Sequence, residues 1–283
     1  MLSINQLGPK LYISDGSEPT AALGRVTRMA IGAHPDDIEI MAVDGILRCY
    51  DDPAEAFCGV VVTDGAGSPR SGPYAGTTSA EMVALRAEEQ KEAARLGRYA
   101  AQALLGYPSA AVRSGQNAGL AAELETLLRA ARPQVVYTHN PADRHPTHVA
   151  VCLRVIEALR TLPADLRPQF VFGCEVWGSL DWVEEHERVA FDVSAHPQLQ
   201  AELVRVFHSQ IEGGKAYEQA TIARRVANAT FRDSHTVDQA ERLIFALDLT
   251  PLLESSLSVE DFVTEKIGHF EQRVSGWLRD FGF

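Results

Sequence analysis

Two apolar runs in this chain each end in a polar turn that carries both imidazole and carboxylate groups, and this pairing constrains the fold more than any other feature. Met29 to Ile31 run into GAHPDDIE at 32–39, and Val135 to Tyr137 run into THNPADRHPTH at 138–148. A short apolar run that breaks at Gly or Pro before helically spaced apolar residues is a strand giving way to a helix. After the first turn Ile38, Met41, Val43 and Ile46 supply that spacing; after the second, Pro146 suits the first helical position. AFCGVVV at 56–62 is a third run, continuous in the manner of strands covered on both faces. Strands alternating with helices imply a parallel sheet with right-handed crossovers, the α/β class. Both turns then fall at the carboxyl edge of the sheet, where open α/β sheets bind ligands.

At 283 residues and 46% apolar content, the chain is long enough for one large α/β domain, or for such a domain with a C-terminal extension. Periodicity predicts a first strand at 26–32 and a first helix at about 38–50. The third run ends in TDGAGSPRSGPYAGTT, Thr63 to Thr78, a Gly-, Ser- and Pro-rich loop long enough to serve as the rim or lid of a site. Thr78 and Glu81 then make a capping box that opens a helix to about Leu96. On it Met82, Arg86, Glu89 and Ala93 share a stripe, and charge on a half-buried face needs a partner. Either Arg86 and Glu89 satisfy one another at i,i+3, or Arg86 reaches an anionic or hydroxylated ligand. Further strands are expected at 99–105, 134–138 and 169–176, with helices at 120–131 and 146–161. Residues 1–175 read as the core, and 176–283 as an extension of the same domain, with a strand at 190–193 and helices at 197–211, 216–229 and 259–278.

A formal charge of −12 and a pI near 5.2 argue against nucleic acid, because phosphate binding relies on clustered Lys and Arg. Apolar stretches fall far short of about 20 residues and MLSINQLGPK has no basic n-region, so a soluble cytoplasmic protein is expected, without membrane contact. Cys49, Cys58, Cys152 and Cys174 are widely spaced among apolar neighbours and read as reduced core residues.

The residue types of the two turns suit zinc. A catalytic zinc takes about three protein ligands at roughly 2.0 to 2.2 Å, and it brings water towards acidity at neutral pH. His34 and Asp37 from one turn with His148 from the other make such a set. Asp36, beside a ligand but free, is then a general base, and His145 a group to stabilise or protonate a tetrahedral intermediate. His139 replacing one ligand is an alternative. So is a plain structural reading, in which the aspartates cap a helix and the histidines never meet.

AHPDDIE and DRHPTH resemble the paired motifs of the LmbE-like, or PIG-L, de-N-acetylases, zinc hydrolases that remove acetate from N-acetylglucosaminyl conjugates. Thr63 and Asp64, LRAEEQKEAARLG at 85–97 and HSQ at 208–210 extend the likeness. The resemblance implies a Rossmann-like three-layer sandwich with a mostly parallel sheet and a Zn2+ cofactor, another divalent metal being the alternative. It assigns His34, Asp37 and His148 as metal ligands, Asp36 as general base and His145 as the catalytic histidine. Arg86 takes the substrate-contacting position, Arg70 in the long loop is a second candidate for that work, and Asp143 either orients His145 or lines the pocket. The partner implied is a small N-acetylglucosaminyl substrate, and the assembly a homo-oligomer, dimer or hexamer.

One position departs from the pattern. Where the family commonly reads HPDH this chain reads HPTH, so Thr147 stands in place of a carboxylate that would support the site from behind. Two other functions compete with deacetylation of a sugar conjugate: zinc-dependent cleavage of a different small-molecule amide, and a sugar- or nucleotide-binding module without chemistry. No GxGxxG follows the first strand, which weighs against a dinucleotide site.

Overall fold

The computed structural model describes residues 3–115, 117–254 and 256–283. Met1 and Leu2, at the head of the N-terminal lead-in, lie outside them. Eight strands form one sheet: β1 (Leu11–Tyr12), β2 (Arg28–Gly32), β3 (Phe57–Thr63), β4 (Ala101–Tyr107), β5 (Val135–His139), β6 (Phe170–Cys174), β7 (Arg188–Asp192) and β8 (Leu243–Asp248). Their spatial order is β1-β4-β3-β2-β5-β6-β8-β7. The five strands from β4 to β6 run parallel, while β1 pairs antiparallel with β4, β8 with β6, and β7 with β8.

The helices are α1 (Ile4–Leu7), α2 (Pro19–Gly24), α3 (Asp37–Met41), α4 (Val43–Asp51), α5 (Ser79–Leu96), α6 (Ser109–Arg113), α7 (Ala118–Ala131), α8 (Pro146–Thr161), α9 (Pro197–Arg205), α10 (His208–Ile211), α11 (Tyr217–Thr230) and α12 (Val259–Asp280). They cover both faces of the sheet. Successive strand residues sort to opposite faces. Met29, Ile31, Cys58, Val60 and Val136 pack with Leu124, Leu127 and Leu128 of α7 and Val151 and Val155 of α8. Ala30, Phe57, Val61 and Tyr137 pack with Ile38, Met41 and Ile46 of α3 and α4 and with Leu203 of α9. This is the α/β class that the alternation of strands and helices implied, in the three-layer form that the resemblance implied. At Gly45 a Cβ would come within 2.6 Å of the Tyr137 ring, so glycine is what lets α4 sit down on β5.

From central β2 the chain winds outward through β3 and β4, then returns to the other side of β2 for β5 and β6. The switch of direction between β2 and β5 opens a crevice at their carboxyl ends. Three details differ from the periodicity. The helix expected at 38–50 is broken at Ala42, whose φ of −114° and ψ of 24° leave the helical range, and the one expected at 197–211 is split around Phe207. In the extension, LIFALD at 243–248 forms β8, which hydrogen-bonds directly to β6 and carries β7 with it. Buried Arg225 of α11 ties the extension to the site from behind, donating to Gln200 Oε1 at 2.9 Å and to the carbonyls of Glu39 and Ile40 in α3 at 2.8 and 3.2 Å.

Candidate metal centre

β2 and β5 are neighbours in register, so the residues that follow them emerge side by side. His34 Nδ1 lies 3.2 Å from His148 Nε2 and 3.2 Å from Asp37 Oδ2, and His148 Nε2 lies 3.3 Å from the same carboxylate oxygen. Ligand atoms on adjacent corners of a tetrahedron with bonds of about 2.0–2.1 Å are about 3.3–3.4 Å apart. Three candidate donors, of residue types that zinc accepts, thus already stand at the spacing one tetrahedral ion requires. His148 is fully buried and Asp37 nearly so, whereas His34 is partly exposed on the crevice side.

The electrostatics of the triangle favour a cation. Although burial opposes both shifts, the neighbouring imidazoles of His148 and His139 hold Asp37 well below the usual carboxylate range. Against its own burial, the carboxylates of Asp37 and Asp143 raise His148 to about 9. Asp143 Oδ1 stands 3.2 Å from His148 Nδ1, on the side away from the triangle, and also accepts the backbone N–H of His145 at 2.8 Å. Its other oxygen accepts the N–H groups of Trp177 and Gly178 at 3.1 and 3.3 Å. A carboxylate behind a ligating imidazole fixes ring orientation and raises basicity, so Asp143 supports His148 where the sequence reading gave it to the His145 side chain or the pocket wall.

Two further histidines complete the cluster. His139 stacks on His148 with ring centroids 3.9 Å apart. Its Nε2 accepts the backbone N–H of Ala33 at 2.8 Å, and burial drives its pKa down to about 4. The nitrogen facing the cluster therefore has its lone pair engaged, which sets His139 apart as packing beneath the triangle, not a substitute ligand. His145, the N-cap of α8, accepts the N–H of Thr147 on Nδ1 at 3.3 Å. In the neutral ring that bond leaves the proton on Nε2, and burial, followed by the charges of His148 and His34, lowers its pKa to about 4. Its ring lies 4.9 Å from that of His34 and 4.6 Å from that of His148.

Asp36 is held by α5. Its backbone has a φ of +93°, a conformation costly for a side-chain-bearing residue. Gln90 Oε1 accepts its N–H at 3.1 Å, and Arg86 Nη2 donates to its Oδ2 at 2.7 Å while also bonding the Pro35 carbonyl. The Arg86 side chain is 1% exposed, and its other arm lies 3.2 Å from Glu89 Oε2. Glu89 in turn accepts the N–H and hydroxyl of Ser209, from the HSQ segment, at 2.6 and 2.7 Å. The substrate contact expected of Arg86 is therefore corrected: its guanidinium is enclosed by protein acceptors and braces Asp36 from behind. Burial raises Asp36 to about 6, with Asp37 adding to the rise and Arg86 opposing it.

Arg70 donates to the Ala66 carbonyl at 2.7 Å and to Ser79 Oγ at 3.2 Å, closing its own loop onto the start of α5, apart from the triangle. Thr147 is buried, and its hydroxyl accepts from Arg113 Nη1 at 3.2 Å. Gln90 and Ser209 fall within LRAEEQKEAARLG and HSQ, the segments that extend the resemblance, but the sequence assigned neither a role. Gln90 had a usable signal, since it adjoins the Arg86 and Glu89 stripe of α5. Tyr217 of α11, whose hydroxyl is raised by burial and by the nearby charges of Asp36 and Asp37, had none.

Residues 29–159 match the family model described as "PIG-L: GlcNAc-PI de-N-acetylase". None of the curated proteins matches this chain. Among solved structures, an N,N'-diacetylchitobiose deacetylase from Pyrococcus horikoshii shares the fold with a TM-score of 0.59 at 20% identity, over 77% of this chain and 83% of that one. The A40926 pseudoaglycone deacetylase Dbv21 gives 0.56 at 13% identity, over 79% and 97%. A 4-carboxy-2-hydroxymuconate hydratase from Pseudomonas putida KT2440 gives 0.57 at 14% identity, over 79% and 95%. The architecture thus serves more than one reaction.

Proposed function

We propose that the protein, whose residues 29–159 match the PIG-L family model, is a zinc-dependent amide hydrolase that removes the acetyl group of an N-acetylglucosamine-containing conjugate. The observation that carries this reading is the triangle of His34, Asp37 and His148 at 3.2–3.3 Å, with the braced carboxylate of Asp36 next to it in the chain. These three residues would hold the ion, and their donor set of two imidazoles and one carboxylate fits zinc. When bound, zinc supplies Lewis acidity and acidifies water at neutral pH.

The chain's own groups supply the proton traffic. Asp36, fixed by Arg86 and Gln90, accepts the proton that water loses as its oxygen attacks the acetyl carbonyl. His145, with Nδ1 already occupied by the Thr147 N–H, presents Nε2–H to the charge developing on the carbonyl oxygen. Transfer of that proton from Asp36 to the nitrogen as the C–N bond breaks leaves a free amine and acetic acid, which ionises to acetate by giving up the water's second proton.

The test is amine release from N-acetylglucosaminyl conjugates, with chelator and then with added zinc, alongside metal analysis of two variants. His148→Ala is expected to lose the metal. Asp36→Asn is expected to retain it and to lose about 10²–10⁴ in kcat, the usual contribution of a positioned base. An Asp36→Asn enzyme with full turnover would remove the base assignment.

A further inference from the structure

Asp36 and Asp37 also form one end of a pocket whose remaining wall comes almost wholly from outside the family match. Its cavity volume is about 130 Å³, below the roughly 300–1,000 Å³ of sites that enclose a whole drug-sized ligand, so it has room for one small group of a larger molecule. Ile40 of α3 lies beside the two carboxylates, and Val176, Trp177, Ala220 and Ile244 of the extension face them. The Trp177 ring meets the Tyr217 ring edge-on at 6.0 Å and has Lys215 Nζ 5.2 Å from its centroid, and the residue is 40% exposed, so part of its apolar surface is open at the site.

The charged and amide side chains of this wall beyond Asp36 and Asp37 bond protein partners, which leaves the hydroxyls of Tyr217 and Thr221 as its other polar groups. Glu175 accepts from Leu180 N at 2.6 Å, Asn228 Nδ2 at 2.9 Å and Phe245 N at 3.3 Å. Arg225 bonds Gln200 and the α3 carbonyls, and Arg224 bonds the Val176 carbonyl. A bare pyranose brings a hydroxyl on most of its carbons, and each loses water on entry and needs a partner. This wall leaves few. Apolar surface needs none, and its burial on isoleucine, valine and tryptophan is favourable by itself.

We propose that this pocket holds an apolar group of the substrate, within a few atoms of the amide that is cleaved. The proposal rests on the amide hydrolase reading above, and it places substrate choice in residues 176–244. The apolar group has two sources, a longer N-acyl chain or an apolar aglycone, and both present the same chemistry to the wall.

The experiment uses the zinc-loaded full chain and two substrate series: glucosamines N-acylated from acetyl to octanoyl, and N-acetylglucosaminides with aglycones from methyl to octyl. In one series kcat/KM is expected to rise by about fourfold per added methylene until the pocket is filled. The series that rises identifies the source. Ala220→Phe, a change at an exposed position of α11, is expected to bring the long-to-short ratio in that series back towards one, while Ala220→Ser keeps it. Amine release that is flat across both series overturns the pocket proposal and leaves the hydrolase reading standing. No release from any member fails the hydrolase reading; Trp177 fluorescence titrated with octyl glucoside then decides the pocket. Saturable quenching that Ala220→Phe abolishes supports an apolar-group site, and unsaturable or unchanged quenching overturns it.

Discussion

The turns after β2 and after β5 end adjacent parallel strands and contribute to one cluster, yet they are held in different ways. The β5 turn combines bonds within itself with bonds to the end of the adjacent strand β6. Within it, Asn140 Oδ1 accepts from Ala142 N at 3.0 Å, Asp143 from His145 N, and His145 from Thr147 N. Towards β6, Asn140 Nδ2 donates to the Cys174 carbonyl and Asp143 accepts from Trp177 and Gly178 N. The β2 turn relies on a helix about 50 residues away, through Arg86 to Asp36 and Pro35 and Gln90 to the Asp36 amide. That external brace is what keeps Asp36 at a φ of +93° with its carboxylate buried. The difference teaches that neighbouring strand ends and their turns can assemble the candidate ligands, His34 and Asp37 bonding one another within the β2 turn, whereas the base needs side chains from a distant helix to stand where it does.

Cutting the brace should therefore have the largest effect. Arg86→Ala leaves the carboxylates of Asp36 and Glu89 buried without their cation, and removing one partner of a buried pair costs about 3–5 kcal/mol. Denaturant unfolding is expected to show a loss of that order, with turnover falling as Asp36 leaves its position. Arg86→Lys keeps the charge but not the planar fork that reaches Pro35, Asp36 and Glu89 together, so its stability should lie between the two. Wild-type stability in Arg86→Ala would mean that the β2 turn holds itself and that the comparison fails.

Within the β5 turn the matching cut is Asp143→Asn, which removes charge from behind His148 while preserving size. Loss of such a supporting carboxylate lowers metal affinity by about 10- to 100-fold. Zinc competition with a chromophoric chelator measures this directly, and stability should change less than in Arg86→Ala, because the Asn140 and His145 contacts remain. An unchanged zinc affinity would show that the 3.2 Å approach of Asp143 to His148 is packing without consequence for the ion.

The same contrast governs what could be read from the chain alone. HPDD and RHPTH stand out because strand, turn and helix start are written in consecutive residues, and α8 spans the expected 146–161. The side on which Arg86 faces its partners was not written there. A stripe at helical spacing says that Met82, Arg86, Glu89 and Ala93 share a face, but not whether that face meets substrate or the back of a turn. β8 was hidden for a related reason: its apolar run follows no crossover helix of a βαβ unit, and its place beside β6 is fixed by pairing 72 to 76 residues away. Tyr217 reaches the crevice by the same long-range route, so its part of the pocket wall had no local signature.

The smallest expected effect concerns Thr147, where the family pattern carries an acid. In this chain its hydroxyl already accepts from Arg113 at 3.2 Å, so a guanidinium stands ready at the one position that lacks a carboxylate. Thr147→Asp would place a charge at a fully buried site, a costly change anywhere without a partner, and here the partner is present. The new pair would form on the α6 side of α8, while the backbone N–H of residue 147 continues to hold His145 Nδ1. Zinc affinity and kcat are therefore expected to shift by less than about tenfold, below the Asp143 effect, because the acid adds to a supported site instead of creating one. The double variant Thr147→Asp with Arg113→Ala separates the two contributions: it should lose stability relative to Thr147→Asp alone by more than Arg113→Ala does in the wild-type background. A Thr147→Asp enzyme that gained or lost more than the Asp143→Asn enzyme would place the support of His148 on the α6 side, and the β5 turn would then depend on a distant helix much as the β2 turn does.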